Sequence, residues 1–228
     1  MNTDRRENPL VSLLFNIVIP SLILTKLSEP ERLGALYALL VALAFPISYG
    51  LYEFRQAKRV GFIPALGLIN VLLTGGLGLL QVNVIWFAVK EAVVPLVIGA
   101  AIILSNYTRQ PLIKALLYNK SVIAVDRIEE QLAKRNTRAE FEQMLVRVSF
   151  MFGASFLLSA VLNFVLAVVI LRSPAGSTEF NQELGRMTAL SFPVIVVPCL
   201  IIGVLTFWYL LNKIKALTTL SLDEIMNK

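Results

Sequence analysis

Lys90 and Glu91 are adjacent charges inside an otherwise apolar stretch, VIWFAVKEAVVPLVIGAAIILSN (84–106). An ionised side chain at membrane depth costs about 2.5–3.5 kcal/mol on insertion scales, so such a residue is a functional candidate by default. Glu91 can accept hydrogen bonds or hold a proton or cation, and Lys90 can neutralise it. Asn16 and Asn70 are amides in other apolar stretches, and Thr74, Gly75 and Gly76 open the run TGGLG (74–78). Clustered glycines either let two helices approach closely or break a helix so that its carbonyls face a cavity. Asn16 precedes Pro20 by the same spacing as Glu91 precedes Pro95. Asn16, Asn70, Thr74, Gly75, Gly76, Lys90 and Glu91 therefore form the candidate polar cavity. The competing reading is structural. Lys90 lies one turn from Trp86, about 6 Å along a helix, close enough for its ammonium to reach the headgroups, and the glycines pack.

Other chemistries are excluded by composition. The chain has no histidine and one cysteine, Cys199, which removes imidazole catalysis, His-metal sites, internal disulfides and multi-cysteine clusters. No lysine follows TGGLG, so it is not a phosphate loop. No catalytic residue, metal site or cofactor is expected, and the chain is read as a non-enzyme.

The elements that must position these residues follow from the apolar content. Of 228 residues, 57% are apolar and 16% are charged, and mean hydropathy is +0.73. A soluble domain of this length could not bury that much apolar surface. Hydrocarbon offers no partners for backbone N–H and C=O groups, so spanning segments must be helices or a closed barrel. Runs such as VVPLVIGAAIIL (93–104) do not alternate as barrel strands would. The expected fold is all-α and polytopic: one integral membrane domain over 1–228. Its six transmembrane helices fall near 9–25, 33–54, 60–80, 84–106, 146–171 and 188–211. Asn8 and Pro9 suit the start of the first, and Ser28 with Glu31 has capping-box spacing before the second. Arg5 and Arg6 precede the first span, but no small-x-small cleavage site follows it, so retention as a helix is expected. In the second span Gly34, Ala38, Ala42, Pro46 and Gly50 form a stripe of small residues suited to helix packing.

Basic residues orient the chain. With these spans, sixteen of the 21 Lys and Arg residues fall on the side of both termini and of segment 107–145. The positive-inside rule makes that side cytoplasmic. The charge therefore reports topology and attraction to anionic lipid, not nucleic-acid binding. In the connector 107–145, Val125, Ile128 and Leu132 share one helical face, as in an interfacial amphipathic helix or a docking element. Thr137 and Glu140 have capping-box spacing, so a helix is expected to start there and run into the fifth span.

The order of pieces carries a resemblance. YGLYEFRQAKR (49–59) ends a span, TGGLG follows, then a span with Trp86, then PLIKALL (111–117). This resembles the bacterial inner-membrane-spanning family called intracellular septation protein A, over roughly residues 10–120. The longer 119–145 connector and the Lys90–Glu91 pair depart from it. The resemblance implies a bacterial inner-membrane protein in cell-envelope maintenance or division, acting through membrane lipids, other inner-membrane or division proteins, or copies of itself. It supplies no site residues. The alternative is a small transporter or channel-like protein with its polar site around Glu91 and Lys90.

The cation asymmetry predicts that reporters fused to the two termini both signal from the cytoplasmic side; reporters on opposite sides would break the six-span threading.

Overall fold

The computed structural model describes residues 11, 13–57, 73–108, 110–118 and 123–226. Residues 60–72 of the expected third span, Asn70 among them, and the first residues of the expected first span lie outside the described residues. Among the described residues the chain is helical, with one isolated bridge, Ile123 to Met226, in place of any strand. The elements are α1 (Leu14–Leu27), α2 (Gly34–Ala57), α3 (73–79), α4 (Ile85–Leu104), α5 (Leu112–Leu117), α6 (Val125–Arg135), α7 (Arg138–Ile170), α8 (Thr178–Ser191), α9 (Val197–Thr218) and α10 (Leu222–Ile225). Four helical stretches are long and apolar enough to cross a membrane: Gly34–Tyr52, Ile85–Tyr107, Arg138–Ile170 and Thr178–Thr218. Leu14–Leu27 is apolar but shorter. Leu96, Val97, Val161, Val165, Leu200 and Val204 are exposed on these helices. Water does not tolerate apolar faces of that extent, whereas lipid does.

Two helix starts show how local chemistry was used. α7 begins at Arg138, right after Thr137, and runs 33 residues without interruption, the start and length expected, while the Thr137 hydroxyl itself donates to the Leu217 carbonyl. The Ser28/Glu31 box does not form. Ser28 is buried and its hydroxyl donates to the Leu24 carbonyl at 2.8 Å, closing α1. α2 then starts at Gly34, whose φ of +71° suits glycine and few other residues. Two prolines shape their helices in the same way. α1 opens with a π-turn, Leu14–Val18, that ends two residues before Pro20. A second, Phe192–Val196, ends two residues before Pro198. A proline ring collides with the carbonyl four residues back and gives it no N–H. A wider turn relieves that collision.

The described residues group into two compact units, each with its own core. The first comprises Met1–Glu91 and Asn163–Val194. Its core holds Leu24, Ala38, Leu39, Phe87, Phe180 and Leu184, with Phe87 and Phe180 edge to face at 4.9 Å. Within the small-residue stripe, packing is confined to the middle: Ala38 and Ala42 are fully buried, while a Cβ at Gly34 or Gly50 would meet open space. Two of the glycines of α3 pack. A Cβ on Gly75 would come within 2.7 Å of Leu43 Cδ1, and one on Gly78 within 3.0 Å of Leu39 Cδ2. TGGLG is thus a helix pressed against α2, not a broken one. At the start of α8, Ser177 caps the helix and Asn181 Nδ2 donates to the Ala35 carbonyl at 2.6 Å. Glu183 accepts from the backbone N–H groups of Arg172 (2.8 Å) and Ser173 (2.9 Å) and from the Ser173 hydroxyl (2.8 Å).

The second unit comprises Ala92–Leu162 and Ile195–Lys228. Here α4 and α7 cross at Gly99 and Gly153: a Cβ on Gly99 would lie 2.9 Å from the Gly153 carbonyl oxygen, and one on Gly153 would lie 3.2 Å from that of Gly99. The Ser149 hydroxyl donates to the Ile102 carbonyl at 3.1 Å across the same contact. Of the two readings of the connector, the docking one matches the packing of its apolar face. Ile128 and Leu132 of α6 are completely buried against protein, in a core with Phe141, Leu210, Ile214 and Ile225. The Ala124 N–H donates to the Ile225 carbonyl at 2.8 Å, and Thr137 Oγ1 donates to the Leu217 carbonyl at 3.2 Å. The C-terminal residues therefore cover that apolar face. Burial raises the Tyr118 phenol pKa above its ordinary value, and the Glu129 carboxylate 3.4 Å away adds to that.

Gly99→Val should lower stability by about 1–3 kcal/mol or more, since the clash is with backbone that cannot move aside. Gly203→Ala, where a Cβ meets nothing within 4 Å, should be neutral or mildly stabilising, because helix propensity favours Ala by up to about 1 kcal/mol. Unfolding of the detergent-solubilised protein with increasing denaturant measures both.

Candidate functional site

The first turns of α4 carry the charge pair. Side chains one residue apart on a helix do not normally face each other. Here the long Lys90 stem folds back so that Nζ donates to Glu91 Oε1 at 2.6 Å and to Thr74 Oγ1 of α3 at 2.7 Å. The Lys90 side chain is 6% exposed and that of Glu91 is 21%, while Trp86 is 58% exposed. Lys90 therefore does not reach outward past Trp86, as the anchoring reading required. Its ammonium is enclosed by protein oxygens. The glycine face of α3 makes this possible: Gly75 and Gly78 bring that helix against α2, which sets Thr74 opposite Lys90.

Glu91 faces a cavity of about 280 Å³ within the first unit. The walls are apolar side chains such as Leu24, Leu39 and Leu184, and the polar groups are Asn16, Thr74, Glu91, Asn163, Thr188 and Ser191. Of the residues singled out from sequence, the structure brings Asn16, Thr74 and Glu91 to this cavity, with Lys90 held behind Glu91. Gly75 and Gly76 border a separate apolar recess of about 500 Å³ with Leu40 and Leu79. They do not line the polar cavity: Gly75 is pressed against Leu43 of α2, and a Cβ on Gly76 would meet nothing within 4 Å. Asn70 lies outside the described residues.

Asn163, Thr188 and Ser191 were not among those candidates. Asn163 reads from sequence as an interhelical hydrogen bond. Thr188 and Ser191 are hidden among apolar neighbours, but a signal exists: Leu184, Met187, Thr188 and Ser191 recur at the spacing of one helical face. All four line the cavity.

The lining is rich in acceptors. Thr188 Oγ1 donates its proton to the Leu184 carbonyl at 2.9 Å, and Ser191 Oγ donates to the Met187 carbonyl at 2.8 Å. Each hydroxyl then offers only lone pairs inward. Glu91 bonds through Oε1 to Lys90, and Oε2 takes no hydrogen bond among the described residues. Prolines extend the pattern. Pro20, Pro46 and Pro95 give no N–H to the carbonyls four residues back, those of Asn16, Ala42 and Glu91. Asn16, Ala42 and Glu91 all line the cavity. The shared Asn16–Pro20 and Glu91–Pro95 spacing thus has a common physical effect: in each, the proline supplies no N–H to the carbonyl of the cavity-lining residue four positions back.

No family model, curated protein or solved structure matches this chain. The likeness to septation proteins stands on the quoted residues alone, and the cavity is read from its own chemistry. Among the described residues no group of three or more Asp, Glu or Cys side chains is placed to hold a metal ion.

The ion pair should behave as a unit. Replacing one partner of a buried pair costs about 3–5 kcal/mol, because the other is left charged and unpaired. Lys90→Met alone should therefore destabilise the protein strongly. Glu91→Gln should do so to a similar or smaller degree, and the double variant should recover much of the loss. A double-mutant cycle by denaturant unfolding measures this; additive losses would show that the two side chains are uncoupled.

Proposed function

We propose that this chain is a six-span protein of the bacterial inner membrane, both termini cytoplasmic, that admits a small polar solute to the intramembrane cavity at Glu91. It acts as a small transporter or channel-like protein, without covalent chemistry. The observation that carries this reading is the Glu91 carboxylate, which is held by Lys90 on one side and borders a cavity lined by hydroxyl and amide groups on the other. A charge pair kept only for packing gains nothing from an adjoining polar space, since continuum estimates favour apolar replacement of buried pairs. Helix prolines beside an ionisable residue also suit a binding site, where irregular backbone is tolerated because it borders a cavity.

Depth supports the same reading. In the threading set by the basic residues, α4 enters from the outer surface. Glu91 then lies about 9 Å along it, at 1.5 Å per residue. Asn163 is a comparable distance from the outer end of α7, and α8 enters from the same side. The cavity falls in the outer half of the bilayer, where it can exchange with the periplasmic face.

Cysteine accessibility tests it. In a Cys199→Ser background, cysteines at positions 91 and 188 should react with a small, membrane-impermeant, water-soluble thiol reagent added to intact spheroplasts, and a cysteine at buried Ala38 should not. Position 91 sealed in every condition would sink the reading.

A further inference from the structure

We infer that a pocket between the cytoplasmic ends of α7 and α9 binds the headgroup of an anionic phospholipid, with Arg147 and Lys213 holding its phosphodiester. The pocket belongs to the second unit. It rests on the membrane threading proposed above and not on the cavity at Glu91.

Sequence sets the depth. Arg147 precedes an uncharged run, 148–171, most of it in α7, and Lys213 follows another, 187–212, whose end lies in α9. The first cation beside a spanning run sits at the headgroups. Arg147 and Lys213 therefore stand at one level on the same side, with exposed Trp208 and its neighbour Tyr209 as the aromatic belt there. Helical spacing sets the faces. Glu140, Gln143 and Arg147 recur at three and four residues on α7, and Tyr209, Lys213 and Leu217 at four on α9. All six line one pocket of about 210 Å³.

The donors of this pocket are not used internally. Among the described residues the side chains of Arg147, Lys213 and Tyr209 enter no ion pair or hydrogen bond, although Glu140 lines the same pocket. A guanidinium presents a planar fork that matches two phosphate oxygens, and an ammonium adds a point charge. A phosphodiester brings only acceptors and one negative charge, which suits that donor set. A choline or ethanolamine headgroup would add a further cation beside two existing ones. Glu140 stands two turns, about 10 Å, beyond Arg147 on the cytoplasmic side. Its carboxylate can accept from the hydroxyls of a glycerol headgroup. On the membrane side of the two cations, exposed Phe150 of α7 and Leu205 of α9 offer contact to acyl chains, which a soluble anion does not use.

Diffuse attraction of basic residues to an anionic surface follows the number of charges, whereas a site depends on which charge is removed. Phosphatidylglycerol, phosphatidylethanolamine and phosphatidylcholine are titrated against the full-length protein in mild detergent, and the first bound lipid is quantified by native mass spectrometry. The variants are Arg147→Gln, Lys213→Gln and, as a control of equal charge change, Lys215→Gln, whose residue does not line the pocket. All three positions are exposed, so folding should be unaffected. Phosphatidylglycerol bound in preference to the other two, weakened about fivefold by each pocket variant and less than about twofold by the control, supports the inference. Equal weakening by all three variants, or no preference for phosphatidylglycerol in the wild type, overturns it. So does saturable binding of radiolabelled inorganic phosphate that phosphatidylglycerol does not displace, which would mark a soluble-anion site. A cysteine at exposed position 143, in a Cys199→Ser background, gives a readout that keeps both cations. Phosphatidylglycerol nanodiscs should protect it from a water-soluble thiol reagent, and phosphatidylcholine nanodiscs should not. Equal labelling in the two would overturn the assignment, whatever is found at position 91.

Discussion

In hydrocarbon a helix must satisfy its own backbone, because no solvent will do so. That constraint accounts for the long unbroken helices, and it makes the interruptions informative. Pro20 and Pro198 follow π-turns, while Pro46 and Pro95 sit within α2 and α4 without a change of winding. Each removes one donor from a ladder that lipid cannot repair. Pro20, Pro46 and Pro95 each stand four positions after a residue that borders a single cavity, Asn16, Ala42 and Glu91.

The Lys90–Glu91 pair obeys the same logic for side chains. A charge carried into the membrane must be neutralised and hydrogen-bonded, and both conditions are met by a neighbouring residue and by Thr74. The geometry depends on α3 approaching α2 closely. Gly75 and Gly78 permit that approach, since a Cβ at either would press on a leucine of α2. The glycines thus serve the site indirectly, by placing Thr74, although they do not line the cavity.

The second unit uses small residues in a similar way and polar ones differently. Gly99 and Gly153 bring α4 and α7 into backbone contact, and packing rather than hydrophobic exclusion holds helices together in such surroundings. Outside the spans, α6 closes on the end of α9 and on α10 in a conventional apolar core. Charged side chains of α5, α6 and α7 pair around the rim, Lys114 with Glu142 at 2.8 Å and Arg138 with Glu129 at 3.2 Å. Such exposed pairs each contribute little to stability. They surround the core without carrying it.

The sequence by itself determined the solvent, the helical class and most span positions, because hydropathy and backbone satisfaction are local properties of a run of residues. Four of the six expected spans correspond to helices of membrane-crossing length. The start of α7 was legible from Thr137 and Glu140 for the same local reason, and Glu91 was legible as an anomaly of charge. Tertiary structure decided what depends on neighbours distant in sequence. It turned Lys90 inward to Thr74 instead of outward past Trp86, and it gave Ser28 to the end of α1 instead of to a capping box. It buried Ile128 and Leu132 under the C-terminal helices, deciding between the two uses their shared face left open. It also brought Thr188 and Ser191 to face Glu91. No periodicity along one helix reveals which face of another helix it will meet, and the cavity exists only where several such faces converge.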